Sequence, residues 1–238
     1  MSEFRIGLIS EGPTDLSVIE KIITTAFSED RFVFSYISPT EDEIKESKKE
    51  EGFGWGGVYK VCKKLNSKLE IAKMTGCIFD LLIIHLDGDV MMVSYGSAKI
   101  EPESSDGRLP CYDVTDEINE NCRRLKSVAG SWITEKTDLK IVYCIPYINT
   151  DVWAAYMLYP SKREIFYEKL DEESLDRILL GMRKADGRLI RRKDGKIKKS
   201  KKAYQDACDN LTDELLLKMR DVFGQLNIFF EEIALDLT

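Results

Sequence analysis

The chain has 238 residues, 43% of them hydrophobic and 32% charged, and carries a net charge of −7. That is enough apolar material to bury a core without disulfide staples, and no apolar stretch approaches the roughly 20 residues needed to span a membrane. The six cysteines form no Cys-x-x-Cys pair and there is one histidine, which argues against a structural zinc site or a histidine relay.

Taken in chain order, residues 5–10 read as a buried strand, followed by a helix over Leu16–Phe27 with Thr14 or Asp15 as its cap. Arg31–Ser38 alternates as a second strand, and 39–51 is a charged connector. Trp55–Ala72 has helical apolar spacing, and 81–86 is a third strand, apolar throughout as a strand covered on both faces would be. Residues 90–112 form a long loop, Asp113–Val128 a helix, and Leu139–Pro146 a fourth strand. Thr150–Tyr159 and Glu172–Arg183 read as helices, Arg188–Lys199 as a hairpin turning at Lys193-Asp194-Gly195, and 203–235 as one or two helices. The alternation predicts an α/β fold: a doubly wound, mainly parallel four-stranded sheet over 1–150, with strands one and three adjacent. A helical C-terminal extension over 151–238 carries the basic hairpin at about 183–202.

Two acidic turns carry the functional argument. Strand one runs into Glu11-Gly12-Pro13-Thr14-Asp15, and strand three into Asp87-Gly88-Asp89. In open α/β sheets, ligands bind outside the C-terminal strand ends. Carboxylates gathered there repel one another unless a divalent cation joins them. Glu11, Asp15, Asp87 and Asp89 are therefore candidate ligands for Mg2+ (or Mn2+), which prefers hard oxygen donors. One or two such ions would polarise a phosphodiester and acidify a water. If Glu11 and Asp87 share an ion, their carboxylates must lie within about 8 Å of each other. The plainer alternative is a pair of turn-capping acids.

The Glu-Gly turn after the first strand, followed by Asp-x-Asp after a later one, resembles the Toprim family over roughly residues 4–150. Glu11 with Asp15 four residues on resembles the overcoming-lysogenization-defect nucleases. Trp55-Gly56-Gly57, and Ile145-Pro146 followed by Asp151-Val152-Trp153, are similar to small stand-alone Toprim-like proteins, with Asp151 near the place where a Glu often stands. The resemblance implies a Toprim-like fold and a metal-dependent nuclease acting on DNA or RNA. It also implies a setting of bacterial or phage defence, a homodimer, and a lysine after Asp-x-Asp that assists catalysis. Lys99, Lys136 and Lys140 are candidates for that lysine, with Lys99 placed in the catalytic set. Toprim nucleases commonly work with an ATPase. This chain has no phosphate-loop motif, so an ATPase partner would be a separate chain.

Residues 183–202 hold eleven Lys and Arg against two Asp, so the remainder of the chain is more acidic than its total suggests. Such an arm can grip a polyanion, and Arg191, Arg192, Lys198 and Lys199 are candidate nucleic-acid contacts. It can equally be a solvated hairpin. Gly52, Gly54 and Gly57 match a dinucleotide-binding string, but a charged run rather than a buried strand precedes them, so nicotinamide binding is not expected. His85 shares a strand face with Asp87 and reads as a satisfied core histidine; Trp132, Trp153 and Phe229-Phe230 read as core. The N-terminus has no signal-peptide pattern, so a cytoplasmic location with reduced thiols and no membrane contact is expected. The competing functions are a non-catalytic nucleic-acid- or protein-binding subunit and a magnesium-binding receiver-like signalling module. The acidic doublet follows strand three rather than strand one, which fits a receiver poorly.

Overall fold

The computed structural model describes residues 3–38, 54–65, 78–112, 117–133, 140–183 and 187–237. Strands β1 (Glu3–Ile9), β2 (Arg31–Ser38), β3 (Leu81–His85) and β4 (Ile141–Cys144) form one parallel sheet in the order β2-β1-β3-β4. The helices are α1 (Pro13–Ala26), α2 (Trp55–Cys62), α3 (Ile118–Ser131), α4 (Asp151–Leu158), α5 (Glu172–Gly181), α6 (Lys201–Asp209), α7 (Asp213–Val222) and α8 (Gly224–Leu237). A separate hairpin pairs β5 (Ile190–Lys193) with β6 (Lys196–Lys199).

Every residue of β3 is buried, because helices cover both faces of the sheet. Alternation sorts the side chains. Ile6, Leu8, Leu81, Ile83, Val142 and Cys144 face α1 and the helices after residue 150. Leu82 and Ile84 face α2 and α3. The apolar core crosses residue 150 without a break: Ile6 and Ile83 share one cluster with Trp153, Tyr204, Phe229 and Ile233. The segment after residue 150 thus supplies the cover for one face of the sheet.

Several local readings shift. α1 starts at Pro13 with Gly12 at its cap, because proline is suited to a first helical position that needs no amide. Thr14 and Asp15, expected as caps, lie inside the first turn with buried side chains. α2 ends at Cys62, and the rest of the helix expected to Ala72 falls on 66–77, outside the described residues. The loop 90–112 is a packed cover: short 3-10 turns occupy Gly88–Met92 and Tyr95–Ala98, and the Trp132 indole N–H donates to the Tyr95 hydroxyl at 2.9 Å. The C-terminus holds three helices. Thr212 caps α7, and the Glu168 carboxylate accepts from the Gly224 and Gln225 amides at 3.0 and 2.7 Å, starting α8 afresh. In the hairpin, Asp194 and Gly195 take φ of 54° and 73°, the left-handed pair that a two-residue turn requires. Trp132, Trp153 and Phe229 are buried core, and Phe230 packs half-buried beside them.

Candidate metal centre at the strand ends

Parallel strands place their C-terminal turns on one rim. β1 and β3 are neighbours with Ile9 opposite Ile84, so the chain reaches Glu11 and Asp87 side by side. The Glu11 carboxylate accepts the Asp87 backbone amide at 2.8 Å. An aspartate oxygen lies no more than about 5 Å from its own amide nitrogen, so the two carboxylates fall within about 8 Å of each other. The Asp87 turn is locked against the segment after β4. A Cβ on Gly88 would lie 1.9 Å from the Tyr147 carbonyl oxygen and 2.5 Å from that of Pro146. The Asp89 amide donates to the Ile148 carbonyl at 3.3 Å, and the Thr150 amide donates to Asp87 Oδ1 at 3.3 Å. On the other side, Gly54, at φ 78°, donates its amide to the Glu11 carbonyl at 2.7 Å.

Below this rim lies a buried polar network. The Thr150 hydroxyl donates to Asp15 Oδ1 at 2.6 Å. Lys199, the last residue of β6, places Nζ 2.7 Å from Asp151 Oδ1 and 3.7 Å from Asp15 Oδ1. The Tyr204 hydroxyl donates to the same Asp151 oxygen at 2.5 Å. Lys199 keeps 36% of its side-chain surface and lines a cavity of about 320 Å³ together with Glu11, Asp15 and Asp87.

The electrostatics are those of an under-neutralised acidic cluster. Burial, then Asp87 beside it, pushes Glu11 well above the carboxylate range. Asp87 is raised chiefly by burial, and Asp89 is pushed up to about 7 by burial, Asp87 and Glu172. Burial would lower Lys199, but Asp151 and Asp15 override it and hold the ammonium well above its ordinary value. His85 is fully buried with Nε2 3.2 Å from Asp87 Oδ1. The approach is off the line a ring N–H requires, so neither ring nitrogen has an aligned hydrogen bond among the described residues. The core histidine expected from sequence is buried, with the Asp87 carboxylate as its close polar neighbour. Asp87 still raises its imidazole, against the opposing effect of burial.

Glu11, Asp15 and Asp87 line one cavity, and Asp89 follows two residues after Asp87 on the same turn. Lys99 ends the Tyr95–Ala98 turn in a left-handed conformation and is exposed. The Lys140 ammonium donates to the Asp236 carbonyl at 2.5 Å, and Lys136 lies outside the described residues. Arg191, Arg192 and Lys198 line the hairpin surface, whereas Lys199 turns into the acidic site. Sequence reasoning missed Thr150, Tyr204 and Glu172. Asp151 was noted only through the family resemblance, with no role assigned to it. Lys199 was not legible as part of this site, being 184 positions from Asp15 in the chain.

All the candidate metal donors are carboxylate oxygens, the chemistry Mg2+ and Mn2+ take. Among the described residues no three His, Cys, Asp or Glu side chains are gathered closely enough to hold an ion as they stand. Magnesium needs no closed cage, because it keeps several waters and is bound through one or two carboxylates plus substrate phosphate. The donor set and its mutual repulsion fit such an ion. No helix among the described residues is long and apolar enough to cross a membrane. No family model, curated protein or solved structure matches the chain.

Proposed function

We propose that the chain is a Mg2+- or Mn2+-dependent nuclease that hydrolyses phosphodiester bonds of DNA or RNA, on a Toprim-like core. The observation that carries this reading is the convergence of Glu11, Asp87 and Asp89 on one rim, with the Lys199 ammonium delivered beside them. Glu11, Asp87 and Asp89 would hold the metal, and Asp15, tied to Thr150 and Lys199, would border it. A bound divalent ion supplies Lewis-acid polarisation of a phosphodiester oxygen and an acidified water. Lys199 takes the assisting position expected of Lys99. Its charge is fixed by Asp151 and Asp15, and it lines the acidic cavity, where it can meet phosphate oxygens or the departing oxygen. The amide hydrogen bond to Glu11 and the packed Gly88 turn hold the carboxylates in place before substrate arrives.

The test is incubation of purified protein with Mg2+ or Mn2+ and mixed single- and double-stranded DNA and RNA. Cleavage is expected, with loss in EDTA and a fall of at least about 100-fold in Asp87→Asn. Glu11→Gln, which retains an oxygen for the Asp87 amide, should be equally inactive while its metal-free stability is unchanged or raised, because one repelling charge is gone. Full activity in both variants would eliminate the reading. A large loss of metal-free stability would favour turn-capping acids.

A further inference from the structure

Beside the acidic cavity lies a larger one of about 830 Å³, lined by Arg188, Arg191, Lys199, Lys201 and Lys202 against a single carboxylate, Asp206. Lys199 and Lys201 line both cavities, so the two share a wall. Lys199 is already committed to Asp151 and Asp15. Arg191, Lys201 and Lys202 have no ion-pair partner among the described residues. Arg188 is steered by the Met182 carbonyl, to which its Nε donates at 2.6 Å. Lys201 and Lys202 also open α6, whose first turn contains no acid, so their charges are disfavoured where they stand. Unpaired cations around a concave space focus a positive potential into it, and an anion seated there relieves their repulsion. Among the described residues no aromatic side chain lines the cavity, so it is suited to the backbone of a nucleic acid and not to its bases. Its volume falls in the range of about 300–1,000 Å³ that accommodates a small-molecule-sized group.

We propose that this cavity binds a phosphate of the nucleic-acid strand next to the phosphodiester held at the acidic cavity, so that the protein grips one strand across Lys199 and Lys201. The inference rests on the nuclease reading for the identity of the ligand. It sets the cavity-lining cations apart from those at the hairpin tip, Lys193 and Lys196, which do not line the cavity.

The experiment measures binding of a fluorescent single-stranded oligonucleotide to the whole chain in EDTA, across a salt series, for three proteins. These are wild type, Arg191→Gln/Lys202→Gln, and the charge-matched Lys193→Gln/Lys196→Gln. The cavity pair should lower affinity about 10-fold at low salt and reduce the salt slope by about 1.4, since each lost single-strand phosphate contact removes about 0.7. The tip pair should change both far less. Equal effects of the two pairs would reduce the arm to general charge and overturn the inference, as would an unchanged slope or no binding by wild type. Lys202→Gln alone should show about half the slope change, which guards against misfolding of the double variant. Cleavage by wild type in Mg2+ is scored separately. A chain that binds with the expected slopes but cuts nothing would retain the phosphate site and lose the nuclease reading.

Discussion

Replacing Lys199 by methionine removes the cation 2.7 Å from Asp151 and 3.7 Å from Asp15 while keeping most of the apolar stem. Asp15 and Asp151 are only 2% and 6% exposed and would be left charged beside Asp87, each with its hydroxyl donor, Thr150 or Tyr204, but no ammonium. Deleting one partner of a buried pair costs about 3–5 kcal/mol. Lys199 retains 36% of its side-chain surface, so solvent screening reduces the expected loss to about 1–3 kcal/mol. In a chain of this size that is a fall in Tm of roughly 3–10 °C. Urea and thermal unfolding in EDTA at pH 7 measure it. Asp151→Asn provides the control, because a carboxamide in place of the carboxylate removes half of the frustration. The double variant should lose at least about 1 kcal/mol less than the sum of the singles. A Lys199→Met protein within about 0.5 kcal/mol of wild type, or strict additivity with Asp151→Asn, would refute the claim that Lys199 neutralises the site.

Gly88→Ala tests the lock between the Asp87 turn and the segment after β4. A Cβ 1.9 Å from the Tyr147 carbonyl oxygen must displace backbone, so a loss of about 3 kcal/mol or more is expected; a variant melting within a few degrees of wild type would show that the turn is not packed as described. Asp89 predicts a pH dependence. Burial, then Asp87, raises it to about 7, so between about pH 4 and 7 the folded chain holds a proton that the unfolded chain has released. Its contribution therefore makes metal-free stability fall as pH rises through that window, and Asp89→Asn should remove it. Urea unfolding in EDTA at pH 5 and pH 7.5 checks this, and an identical pH response in the two proteins would contradict it. Mg2+ binding, which needs the carboxylate, should strengthen over the same interval.

The sequence by itself determined the strand-end acids and the sheet they sit on. Apolar runs at 5–10 and 81–86 are read from local hydrophobicity, and each places its acid after its own strand within a few residues. Parallel crossover rules then make β1 and β3 neighbours, so Glu11 and Asp87 meet without any knowledge of the helices. Helix starts slipped for two reasons: Pro13 displaced the expected local caps Thr14 and Asp15, whereas α8 begins at a distant carboxylate, Glu168, 56 residues before Gly224. Only the tertiary structure decided which lysine serves the site. Lys199 looked like one cation in a basic run; strand alternation puts it on the face of Ile190 and Ile197, opposite Lys198, but does not say what that face meets. It reaches Asp151 and Asp15 because α4 and α6 pack on the same face of the sheet as α1, burying Trp153 and Tyr204 in one core with Ile6 and Ile83. That packing gathers hydrophobic surface from residues nearly 200 positions apart. Neutralising two buried carboxylates with the nearest cation is an energetic necessity that arises only after the chain has closed.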